Sequence, residues 1–222
     1  MTQRKKITTV LFDLDGTIID TNELIIESFL HALKGVVPAG FNREHIIPSM
    51  GEPLTVQLQQ FSGQKDVAGL TGAYREYNLL RHDEMVSLFP GVAEVVPQLH
   101  NAGIRLGIVT TKMRGTTIRA LELLGMFKYM GAIVSLDDVE HAKPHPEPVA
   151  KAIQALGSDP SETIMVGDST VDMLSAIAAG AVPAGVAWSL KGEEKLFEAG
   201  AVHMLREMKE LLTLCGIEGV DA

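Results

Sequence analysis

Apolar positions change their spacing along the chain, and the changes mark its elements. Ile7 to Phe12 is a short β-branched and aromatic run of a length that suits a strand. Ile18, Ile25, Phe29, Leu33 and Val36 then recur at helical spacing. Asp20 and Glu23 are placed like a capping box for that helix, and Gly35, Pro38 and Gly40 close it. From Phe41 to Leu88 the pattern stays helical but patchy, broken at Pro48, Gly51, Pro53, Gly63 and Gly69, and it predicts no strand. Phe89-Pro90-Gly91 reads as a turn.

Past that turn, strands and helices alternate. Helices are predicted over Val92–Asn101, Arg114–Leu124, Glu147–Leu156, Thr170–Ala179, Glu193–Glu198 and Arg206–Leu214, with Pro97 shifting or kinking the first of them. Strands are predicted over Ile104–Thr110, Ala132–Ser135, Thr163–Val166, Val182–Ala187 and Val202–Leu205. The alternation implies βαβ units, and so an α/β fold: a doubly wound parallel sheet with helices on both faces. The first strand belongs to that sheet, and the helical stretch is inserted directly after it. The expected organisation is a core of residues 1–16 and 88–222 carrying an α-helical cap of residues 17–87. The insertion leaves the sheet at a strand's C-terminal end, where open α/β sheets bind ligands, and this favours a lid.

Composition narrows the function classes. At 222 residues the chain can bury a core without disulfides, and Cys215, its only cysteine, excludes an intrachain bridge. The apolar run before Asp13 is too short for a secretory signal, and nothing approaches a membrane span, so a cytoplasmic protein is expected. A net charge of −9 argues against nucleic acid as a partner. It also means that an anionic ligand would need local positive charge or a metal.

Candidate chemistry collects at the predicted C-terminal ends of strands. Asp13 and Asp15 are two apart, so an extended chain points both carboxylates the same way; Gly16 frees the turn and Thr17 adds a hydroxyl. Such a pair tolerates its own repulsion if a cation sits between the acids, and a carboxylate can serve as a nucleophile. An acidic turn after an edge strand is the plain alternative. Thr110-Thr111 could cradle an oxyanion or simply cap a helix. In Ala142-Lys143-Pro144-His145-Pro146-Glu147-Pro148, alternate prolines would fix a stiff, extended lead into the next helix and hold Lys143 near a phosphoryl group; a proline-rich loop with a solvated lysine is the alternative. Asp168 and Asp172, one helical turn apart, offer the hard oxygen ligands that suit Mg²⁺, or a helix cap.

In order, Asp13-Leu14-Asp15-Gly16-Thr17, Thr110, Lys143, and Gly167-Asp168-Ser169 with Asp172 resemble the four motifs of the haloacid dehalogenase superfamily of phosphohydrolases. The helical insertion resembles the small cap of its phosphoglycolate phosphatase and β-phosphoglucomutase branch. The resemblance implies Asp13 as nucleophile, Asp15 as acid and base, Thr110 hydrogen-bonding a phosphoryl oxygen, and Lys143 balancing charge on Asp13 and the phosphate. It further implies Mg²⁺ held by Asp13, Asp168 and the Asp15 carbonyl, with Asp172 supporting. Because dehalogenases lack an aspartate at the place of Asp15, it points to phosphotransfer. Ile7–Phe12, Thr21–Ile26, Ile108–Lys112 and Gly185–Trp188 with Lys191-Gly192 are similar to the inorganic pyrophosphatases of Gram-positive bacteria. This implies pyrophosphate or another small phosphorylated substrate. Phosphoglycolate or a sugar phosphate, and a module that merely accepts phosphate on Asp13, stay open. Asn22, Glu23, Gly51, Glu52 and Arg81 are the cap's candidates for substrate contact, and a monomer or weak homodimer is expected.

Overall fold

The fold is seen in a computed structural model that describes residues 6–217. Six strands form one parallel sheet: β1 (Thr9–Phe12), β4 (Arg105–Val109), β5 (Ala132–Val134), β6 (Thr163–Gly167), β7 (Val182–Val186) and β8 (His203–Leu205), in the order β5-β4-β1-β6-β7-β8. β1 lies in the middle, with Phe12 opposite Ile108 on one side and Val166 on the other. Its side chains alternate between faces. Val10 and Phe12 enter one apolar cluster, and Leu11 enters a second with Val109 and Met165. Burial on both faces explains why these strands read as continuous apolar runs. Helices α5 (Val92–Asn101), α6 (Arg114–Leu123), α7 (Glu147–Ala155), α8 (Thr170–Ala178), α9 (Glu193–Glu198) and α10 (Glu210–Leu214) complete this layered architecture.

Between β1 and α5 stand α1 (Asn22–Ala32), α2 (Arg43–Ile46), α3 (Leu54–Ser62) and α4 (Ala68–Met85). They gather around their own apolar cluster, which includes Ile26, Phe29, Leu33, Ile46 and Leu58. Phe29 is its centre, with ring centroids 5.4 Å from Phe61 and 4.7 Å from Tyr74. No helix of the described residues is long and apolar enough to cross a membrane.

Local expectations fail where tertiary pairing overrides helical spacing. The helix expected from Ile18 begins only at Asn22, because Ile19–Asp20 (β2) pairs antiparallel with Ser87–Leu88 (β3). That two-residue ribbon, in a region where no strand was expected, ties both ends of the insertion together. The capping box does not form. Asp20 Oδ1 accepts from the Asn22 amide at 3.2 Å, while Glu23 turns outward to Arg43 at 2.8 Å. Pro97 is accommodated inside an unbroken α5. The proline segment at Lys143 is a turn, not an extended lead, with a cis Lys143–Pro144 bond and the His145 amide donating to the Ala142 carbonyl. The last helix starts at Glu210, four residues later than its spacing predicts.

Replacing Phe29 with alanine removes the ring that joins α1, α3 and α4. We expect it to cost about 3–5 kcal/mol in denaturant unfolding. A loss below about 1 kcal/mol would show that the cluster does not hold these helices together.

Candidate active site

The sequence after β1 cannot run straight into a helix. Gly16 adopts φ +81°, and a Cβ there would lie 2.8 Å from Asp168 Oδ2. The Gly16 amide donates to the Ile19 carbonyl at 2.9 Å, folding the chain back so that Asp13 and Asp15 stay at the sheet's edge. β4 delivers Thr110 and β6 delivers Asp168 to the same edge. Gly167 has no side chain to block the carboxylate of Asp172, which packs directly against it from the first turn of α8.

Lys143 joins these segments. Its Nζ donates to Asp13 Oδ1 at 2.7 Å, Asp172 Oδ1 at 2.6 Å and the Val109 carbonyl at 2.9 Å, so all its protons are used, and all of it is buried. Asp172 turns its other oxygen to the Ser169 amide at 3.0 Å, which fixes its orientation. Asp168 Oδ2 receives Lys191 Nζ at 2.7 Å. Asp15 lies nearer the cavity, held by Lys112 Nζ at 3.0 Å and the Thr21 hydroxyl at 2.8 Å. Thr110 Oγ1 accepts from the Lys112 amide at 3.1 Å.

Electrostatics follow from this packing. Burial pushes the Asp13 carboxyl above the usual carboxylate range; Lys143 opposes the shift, while Asp172 and Asp168 add to it. Burial likewise raises Asp168 against the pull of Lys191. For Lys143 burial disfavours the ammonium, but Asp13 and Asp172 outweigh it and its pKa rises. The acids therefore remain short of positive charge even with a lysine among them. Carboxylate oxygens of Asp13, Asp168 and Asp172 lie within 4.8 Å of one another, a donor set of hard oxygens that fits a divalent cation.

Asp13, Asp15, Thr110 and Asp168 open onto a cavity of about 520 Å³ whose far wall comes from α1, α3, α4 and the turn at Met50–Glu52. The turn touches the sheet's edge: Thr111 Oγ1 donates to the Gly51 carbonyl at 3.0 Å, so its hydroxyl faces the insertion. Gly51, at φ +100°, leaves no room for a Cβ, which would stand 2.6 Å from Ser169 Oγ. Thr17 is buried, its Oγ1 without a partner and its carbonyl accepting from Trp188 Nε1 at 3.2 Å.

The cap candidates separate. Gly51 and Glu52 line the cavity, whereas Asn22 is buried outside its lining, Glu23 is in the exposed pair with Arg43, and Arg81 pairs with Glu84 at 3.1 Å. The α4 residues on the cavity are Tyr74, Arg75, Asn78 and Leu79, one helical face that excludes position 81. Lys112 and Lys191 had not been assigned to the site. Lys112 directly follows the Thr110-Thr111 pair at a strand's end; Lys191 follows an exit loop, where only the family resemblance of Lys191-Gly192 marks it and no local pattern gives it a role.

Comparison with known proteins now bears on this geometry. The family model for haloacid dehalogenase-like hydrolases matches residues 10–186, which include Asp13, Asp15, Thr110, Lys143, Asp168 and Asp172 but not Lys191. The chain belongs to that family. Curated relatives of these hydrolases include pyrophosphatase PpaX of Bacillus pumilus, 46% identical over 96% of this chain and 98% of its own, and PpaX of Bacillus velezensis, 44% identical over 96% and 99%. Among solved structures, a haloacid dehalogenase-like family hydrolase from Streptococcus pneumoniae superposes with a TM-score of 0.82 at 25% identity, covering 93% of this chain and 97% of its own. Members of the family generally use a divalent metal, in keeping with the donor set at Asp13 and Asp168.

Protons and a divalent cation compete for the same carboxylates, and Asp13 and Asp168 hold their protons to higher pH than isolated acids do. A divalent cation added to metal-free protein should therefore raise Tm more at pH 8 than at pH 5. A thermal shift that is equal at both pH values, or absent, would count against the acidic cluster as the metal site.

Proposed function

We propose that this haloacid dehalogenase-like hydrolase is a Mg²⁺-dependent inorganic pyrophosphatase. The observation that carries the reading is the buried Lys143–Asp13–Asp172 cluster at one end of a cavity with room for a small phosphorylated molecule. The choice of pyrophosphate rests on relatives named pyrophosphatase that align over nearly the whole chain. Residues 17–87 act as a cap over the site.

In this reading Asp13 attacks phosphorus and its oxygen forms the new bond while the bridging P–O bond breaks, leaving an aspartyl-phosphate and releasing phosphate. The leaving phosphate carries away the bonding electrons and takes a proton at the former bridging oxygen from Asp15, which is left as a carboxylate. Asp15 then takes a proton from the water that attacks the phosphorus of the intermediate, and Asp13 is regenerated with a second phosphate. Lys143 offsets negative charge on Asp13 and the transferring group, and Thr110 bonds a phosphoryl oxygen. Asp13, Asp168 and the Asp15 carbonyl would hold Mg²⁺, which supplies charge neutralisation for the phosphoryl oxygens.

Phosphate release from pyrophosphate and from 2-phosphoglycolate, each at equal concentration with Mg²⁺, tests the reading. Pyrophosphate should be the better substrate, and Asp13→Asn should abolish turnover of both while the protein stays folded by circular dichroism. A clear preference for phosphoglycolate would move the protein to another branch of the family. Turnover retained in folded Asp13→Asn would remove the proposed nucleophile.

A further inference from the structure

Pyrophosphate brings two phosphoryl groups, and the cluster around Lys143 serves only one of them. The second must leave from the other side of the reacting phosphorus, toward the cavity's cap wall, and it departs as an anion in a chain of net charge −9. Positive charge at that wall is therefore the quantity to look for. Three basic side chains line the cavity: Arg75, Lys112 and Arg119. Two of them are engaged. Lys112 bonds both oxygens of Asp15, at 3.0 and 3.3 Å, and Arg119 grips Asp83 with Nε at 3.0 Å and an Nη at 2.8 Å. Lys143 and Lys191, deeper in the site, are committed to Asp13, Asp172 and Asp168. Arg75 has no hydrogen bond or ion pair among the described residues. It projects from the same face of α4 as Tyr74 and Asn78, and that face is held in place by the Phe29–Tyr74 contact and by Asn78 Nδ2 donating to Ser28 Oγ at 3.2 Å. A guanidinium suits this position, because its planar fork can bind two oxygens of one phosphate at once.

We propose that Arg75 is the residue by which the cap recognises the leaving phosphate, and so selects pyrophosphate over esters whose leaving group is uncharged. The inference rests on the pyrophosphatase reading. It goes further by assigning the distal subsite to one side chain of the insertion, and it places the discrimination on α4 and not on the sheet. The apolar groups that share the cavity with Arg75, Phe29, Leu54 and Leu79 among them, give an uncharged leaving group nothing to lose when Arg75 is removed.

The test measures binding of two hydrolysis-proof or product probes by calorimetry with Mg²⁺ present: methylenediphosphonate, which has both phosphoryl groups, and inorganic phosphate, which has one. Wild type should bind the diphosphonate more tightly than phosphate. Arg75→Ala should weaken diphosphonate binding about ten- to hundredfold while leaving phosphate within about twofold, and Arg75→Lys should restore part of the loss. Catalytic efficiency toward pyrophosphate should fall with the diphosphonate affinity. If Arg75→Ala keeps the full preference for the diphosphonate, Arg75 is not the distal contact, although pyrophosphate hydrolysis by wild type would still support the wider reading. If wild type shows no preference for the diphosphonate and does not hydrolyse pyrophosphate, the pyrophosphatase reading itself fails and takes the inference with it.

Discussion

A lysine ammonium with no access to water is costly unless anions replace its hydration, and Lys143 has two carboxylates and a carbonyl doing so. The rest of the site follows from that requirement. Asp13 comes from the central strand, Val109 from its neighbour on one side, and Asp172 from the helix after the neighbour on the other. The lysine can be satisfied only if β1, β4 and α8 are in register. In turn, burial lifts the pKa of Asp13 and Asp168, and Lys143 and Lys191 oppose that shift without cancelling it. The imbalance suits a divalent cation and an incoming phosphoryl group, whose charges complete the arrangement. The site is thus built around a charge deficit that its ligands make good.

The insertion meets this charged edge through small, defined contacts. The turn at Gly51 approaches Thr111 and Ser169 so closely that a side chain there would be excluded, and β2 with β3 holds the two connecting segments side by side. Arg119 and Asp83 add an exposed link between α6 and α4. Exposed ion pairs contribute little to stability, so this link is the kind that can break and re-form as a cavity opens. Under the proposed reading, this mostly apolar wall acts as a lid that excludes water from the reacting phosphorus.

The sequence carried the sheet well, because strands buried on both faces and helices with one apolar face leave strong periodic signals; Leu11, Val109 and Met165 against Val10 and Phe12 are the clearest case. The β2–β3 ribbon left no such signal. Two residues cannot show a period, and Ile19 also fits a helical stripe. Asp13, Asp15, Thr110 and Asp168 stood just past strand ends, Asp172 in the first turn of the next helix and Lys143 in a proline-marked turn, whereas Lys191 reaches Asp168 only through the path of an exit loop. Choosing among arginines of α4 needed the helix's rotation about its axis. Arg75 and Arg81 look equivalent in sequence, and only packing places one on the cavity and the other beside Glu84.

The central claim is that Asp13, paired to a buried lysine, becomes covalently phosphorylated. Quenching the protein during turnover of pyrophosphate, reducing with borohydride and mapping peptides by mass spectrometry tests it directly, since an acyl phosphate is reduced at its carbonyl while a free carboxylate is not. The account predicts that residue 13 is recovered as homoserine, and only when pyrophosphate and Mg²⁺ are both present. Residue 13 recovered wholly as aspartate, with the reduced carbon at another acid such as Asp15, would contradict it.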